Sequence, residues 1–75
     1  MMRLISQSGR IDIPYTNTSL EITSEDGCHV VIACFGKKRF SMGHYYQLTN
    51  ALNALVDVSR ANTRGWKIFT FPQED

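Results

Sequence analysis

The run His29-Val30-Val31-Ile32-Ala33-Cys34-Phe35 decides the architecture. Residues of both parities are apolar, as in a strand covered on at least part of both faces, so this run is the expected middle of a sheet. Alternation along a strand places Val30, Ile32 and Cys34 on one side and Val31, Ala33 and Phe35 on the other. Just before it, Glu25-Asp26-Gly27 marks a turn, and Leu20 and Ile22 alternate with Glu21 and Thr23, which predicts a hairpin partner. Just after it, Gly36-Lys37 provides another reversal, and Arg39-Phe40-Ser41-Met42 alternates polar with apolar as a half-buried strand does.

Toward the N-terminus, Met2 to Ser6 and Arg10 to Ile13 are short apolar runs separated by Gln7-Ser8-Gly9, where Gly9 supplies the positive φ of a tight hairpin. Pro14 lacks an amide proton, so the second strand ends near it or sits at an edge. From Leu48 the period changes. Leu48, Ala51, Leu52, Leu55 and Val58 recur at steps of three and four, with Asn50, Asn53, Asp57 and Arg60 opposite, which predicts one amphipathic helix over Gln47 to Asn62. Leu52 and Leu55 are expected in its buried stripe. Gly65 stops this helix as a left-handed cap, and Arg60 and Arg64 suit the negative end of its dipole. Its start is poorly marked, because Tyr46-Gln47 offers no capping side chain. Trp66 to Phe71 is β-rich and Pro72 ends it, before the acidic Gln73-Glu74-Asp75. The expected fold is therefore α+β: an antiparallel meander of about five or six strands with one helix on one face, in the order β-β-β-β-β-α-β, as one domain over residues 1–75.

With 75 residues, 43% hydrophobic, 20% charged and a net charge of +1, the chain has room for one thin core and no overall pull toward nucleic acid. No apolar stretch approaches the roughly 18 to 20 residues that cross a bilayer. A soluble, cytoplasmic protein without a membrane partner is expected. Cys28 and Cys34 would lie about 20 Å apart on one extended strand, too far for a disulfide between them, and no zinc spacing occurs.

The opening Met2-Arg3-Leu4-Ile5-Ser6-Gln7-Ser8-Gly9-Arg10-Ile11-Asp12-Ile13-Pro14-Tyr15 resembles that of a family of small proteins common in phages and prophages of Gram-positive bacteria. Those begin Met-Arg-Ile-Ile-Ser-Gln-(Asp/Asn)-Gly and continue to Asp-(Val/Ile/Leu)-Pro-Tyr. The similarity extends to Gly43-His44-Tyr45, to Asn50-Ala51-Leu52, and to the ending Phe69-Thr70-Phe71-Pro72. The chain departs at the helix start, with Tyr46-Gln47-Leu48-Thr49 where the family places Ser-Thr-Glu-Glu. The resemblance implies a setting, a mobile genetic element in a bacterial cytoplasm, and no particular chemistry.

No catalytic triad, phosphate loop, zinc-protease motif or carboxylate pair can be written from these residues, and the only neutral-range bases are His29 and His44. A non-enzymatic protein without a cofactor or metal is expected. Two features suggest binding. Lys37-Lys38-Arg39 forms a basic hairpin tip, which with Arg10 and Lys67 can hold phosphates, while Tyr45, Tyr46 and Trp66 can stack bases. The simpler reading makes the tip a guard against edge aggregation and buries Trp66 in the core. Tyr46 and Leu48, apolar where caps are expected, suggest a protein interface. One helix shields only part of one sheet face, so one apolar set of the central strand is expected to find cover in a second copy or a partner. The combined expectation is a phage or prophage binding protein that blocks a host defence component, for instance CRISPR, or sequesters a nucleotide signal. The alternatives are a single-stranded nucleic-acid binder and a structural phage accessory protein.

Overall fold

The computed structural model describes residues 1–74; Asp75, part of the expected acidic end, lies outside the described residues. The elements are β1 (Arg3–Ile5), β2 (Asp12–Pro14), β3 (Thr18–Glu25), β4 (Cys28–Phe35), β5 (Lys38–Tyr45), α1 (Leu48–Thr63) and β6 (Ile68–Thr70), in the expected α+β order. The single meander is corrected. The strands form two three-stranded sheets, ordered β2-β1-β6 and β3-β4-β5. The cause is the return from the helix: β6 pairs in parallel with β1, Leu4 facing Phe69, so both edges of β1 are occupied and it cannot extend the other sheet.

The β3-β4-β5 sheet follows its turn chemistry. Asp26 and Gly27 form a two-residue loop with φ of 48° and 78°, the doubly positive turn that matches strand twist. β4 meets β5 with an irregularity: Val31 faces Gly43 and Ile32 faces Ser41, leaving Met42 as an extra residue. This bulge has a use. The Met42 carbonyl accepts the Gln7 amide at 2.8 Å, which stitches the chain just beyond β1 onto β5 and joins the two sheets.

The core lies between the inner face of β3-β4-β5 and a cover made by α1 beside the β1 sheet, where Val31, Ala33, Met42 and Tyr45 meet Leu4, Ile13, Phe69 and Phe71. From the helix come Ala51, Ala54, Val58 and Ala61, all buried. This corrects the expected helix phase. Leu52 is 46% exposed and Leu55 only partly buried, because alanines let the helix backbone approach the sheet where leucines would hold it away. Trp66 is corrected too. Its amide bonds the Ala61 carbonyl and that of Gly65 bonds Asn62, closing the helix around Gly65 at φ 77° and leaving the indole outside, 51% exposed.

The outer face of β3-β4-β5 also departs from expectation. Val30 and Ile32 are buried there without any helix above them. Val30 lies between Thr23 and His44, and Ile32 between Glu21 and Ser41. Arg39 on β5 pairs with Glu21 on β3 and also reaches the Cys34 sulfur at 3.8 Å, so this ion pair is strapped across β4. Val30 and Ile32 are thus covered within the chain, while Cys34 of the same set stays partly exposed.

Candidate functional site

Strand alternation separates the residues of the basic tip. Lys37 sits in the turn, Lys38 shares a parity with inward-facing Phe40, and Arg39 goes to the outer face, where Glu21 neutralises it. Arg10 lies in the β1–β2 turn and Lys67 precedes edge strand β6, both belonging to the other sheet. The five cations are thus distributed over several elements of the two sheets, with Arg39 engaged by Glu21.

The two tyrosines part in the same way. Tyr45 is buried, its hydroxyl donates to the Pro72 carbonyl at 2.9 Å, and burial raises its pKa above the ordinary value. Its ring stands where a side chain on residue 43 would go: a Cβ on Gly43 would fall 2.8 Å from Tyr45 Cε2. Tyr45 is thus a core residue rather than a base-stacking platform. Tyr46, one residue on, is 79% exposed.

The missing helix cap is supplied from the far end of the chain. Glu74 accepts the Tyr46 amide at 2.7 Å, the Gln47 amide at 3.1 Å and the Asn50 side-chain amide at 2.6 Å. A carboxylate at these donors satisfies groups the helix cannot and favours the positive end of its dipole. The bonds from Asn50, then Tyr46, lower the Glu74 pKa. The sequence marks this residue only as part of an acidic stretch after Pro72. The available signal was topological: a last strand that runs back beside the helix must end near the helix start.

Gln7, read as a loop residue, also joins distant segments. Its Oε1 accepts the His44 amide at 2.8 Å, its Nε2 donates to the Pro72 carbonyl at 2.8 Å, and its carbonyl accepts from Gln73 Nε2 at 2.8 Å. Two shallow hollows meet here, of about 290 Å³ and 380 Å³, sharing Gln7, His44 and Gln73. Ser8 and Ser41 line one, and Cys28, Tyr46 and Glu74 the other. Their walls offer hydrogen bonds, and among the described residues no cluster of His, Cys, Asp or Glu is arranged to hold a metal.

The most unusual surface is on α1. Leu48, Leu52 and Val56 are each 46% exposed, and their i, i+4, i+8 spacing makes them one ridge along the helix. Asn50, Asn53 and Asp57 line a cavity with the C-terminal segment Pro72 to Glu74, so the ridge lies on the flank turned away from that segment. Exposed Tyr46 stands at the ridge's N-terminal end. Thr49, Asn53 and Ser59 beside the ridge carry no charge, and exposed Arg60 continues it one turn beyond Val56. The chain matches no family model, and no curated protein or solved structure matches it.

Proposed function

We propose that this chain is a non-enzymatic binding protein which docks a protein partner on the α1 ridge and, in the phage or prophage setting suggested by its opening phrase, inhibits a bacterial defence protein. The observation that carries the reading is the ridge itself. Leu48, Leu52 and Val56 remain half exposed on a chain of 75 residues that buries alanines instead, so large apolar groups are kept at the surface. Apolar residues at i, i+4 and i+8 with an aromatic at one end are the anchors by which a helix enters an apolar groove. The partner accordingly presents such a groove, and Tyr46 supplies an aromatic anchor at its edge.

The nucleic-acid alternative has less support, because Arg39 is engaged by Glu21 and Tyr45 is buried. The test is co-elution on gel filtration with purified bacterial defence proteins, comparing wild type with Leu52→Asp/Val56→Asp. A complex formed by the wild type and lost in a variant that keeps its circular dichroism spectrum supports the reading. Equal complex formation by both chains moves the contact elsewhere.

A further inference from the structure

We infer that β3 is a self-association edge, through which two copies of the chain pair antiparallel about a two-fold axis at Ile22 to form one continuous six-stranded sheet. The inference rests on backbone phase and side-chain register, and is separate from the helix ridge.

β3 spans Thr18–Glu25 and is the outermost strand of its sheet. Proline, bulges and lysine commonly blunt such edges. β3 has no proline or lysine, and the sheet's irregularity lies on the other side of β4. Past Thr18, whose amide bonds the Tyr15 carbonyl, no other segment bonds the β3 backbone among the described residues.

The hairpin fixes which groups are available. Glu25 and Cys28 flank the two-residue turn and form its closing hydrogen-bonded pair, so Thr23, Glu21 and Ser19 also direct their backbone groups toward β4. Leu20, Ile22 and Ser24 therefore direct theirs outward. In an antiparallel pairing centred on Ile22, this residue faces Ile22 of the second copy, and Leu20 faces Ser24 on either side. Each of these pairs has the phase to exchange both of its bonds. Glu21 then faces Thr23, and Ser19 faces Glu25, so no two carboxylates meet.

The neighbouring registers are worse. Centring on Glu21 sets the two Glu21 carboxylates opposite each other. Centring on Leu20 requires Thr18, whose amide is already used. In the Ile22-centred pairing half-buried Leu20 and Ile22 gain cover on the inner face without opposing carboxylates.

The facing of Glu21 and Thr23 gives a test whose sign depends on this register. Sedimentation equilibrium of the full chain across concentrations is expected to show reversible dimerisation above 8.5 kDa. Thr23→Glu is expected to weaken it about tenfold by opposing Glu21, and Thr23→Lys to tighten it. Ser24→Pro removes an outward amide that the β3–β4 ladder does not use, and is expected to abolish the dimer with native circular dichroism. Leu52→Asp/Val56→Asp is expected to leave the dimer unchanged. A monomer at every concentration, or Thr23→Glu and Thr23→Lys shifting the equilibrium in the same direction, would overturn the inference. So would a dimer indifferent to all three β3 variants.

Discussion

The Glu74 carboxylate lies 2.6 Å from the Asn50 side-chain amide, tying the end of the chain to the first turn of α1. Gln47, the residue at the cap position, makes no side-chain cap of its own, and the first turn carries no acidic residue, so this contact does the work of both. The C-terminal segment is thereby part of the fold.

Acid should undo that cap. Glu74 titrates below the ordinary 4.5 because Asn50, then the Tyr46 amide, favour its charged form. A carboxylate with a depressed folded-state pKa contributes stability that is complete above the unfolded value and is lost as pH falls through the folded one. Melting temperature should therefore fall below about pH 4.5, and Glu74→Gln should lower it at neutral pH while flattening the acid dependence. An unchanged acid limb in Glu74→Gln would assign that dependence to another carboxylate.

The corrected helix phase predicts an inversion of the usual expectation. Leu52→Ala should change stability by no more than about 0.5 kcal/mol beyond helix propensity, as at other surface sites. Ala51→Leu should cost about 1 to 3 kcal/mol, because fully buried Ala51 faces a sheet with no room for added methylenes. Urea denaturation of both variants measures the contrast.

Much of the fold was legible because it is local. The Asp26-Gly27 turn, the Gly65 stop and the alternation of β3 and β5 are set by neighbouring residues, and they lie where the sequence pattern places them. The helix was expected at Gln47 to Asn62 and is found at Leu48–Thr63. What was not legible depends on segments distant in sequence. The parallel pairing of Leu4 with Phe69 divides the strands into two sheets, and nothing near either residue announces it. Glu74 caps a helix that begins far upstream. Periodicity gave the helix a broad apolar arc but could not choose between alanines and leucines, since close approach to a sheet is a tertiary demand. At the site, Tyr46 and Leu48 were correctly read as exposed apolar groups, whereas Arg39 and Tyr45 were drawn into the fold by Glu21 and Pro72.

Gly43 and Tyr45 should behave as a unit. Gly43→Ala places a methyl against the buried Tyr45 ring, and should cost about 1 to 3 kcal/mol. Tyr45→Phe removes the hydroxyl that donates to the Pro72 carbonyl and should cost about 1 kcal/mol. Since both act on one ring, the double variant measured by thermal unfolding should fall short of the sum.

Gln7 should govern the joint between the sheets. In Gln7→Ala the side-chain bonds to His44 and Pro72 are lost while the main-chain bond to Met42 remains. Amide exchange at His44 should accelerate, with exchange in the β3–β4 ladder little changed. Uniform acceleration would mean that Gln7 acts on global stability alone.

The most direct test of the proposed function is phage infection of bacteria that carry defined defence systems, with and without this protein. The account predicts that wild type restores plaque formation in at least one defended strain and that folded Leu52→Asp/Val56→Asp does not. Restoration by the ridge variant at wild-type level, or no restoration by the wild type in any defended strain, would contradict it.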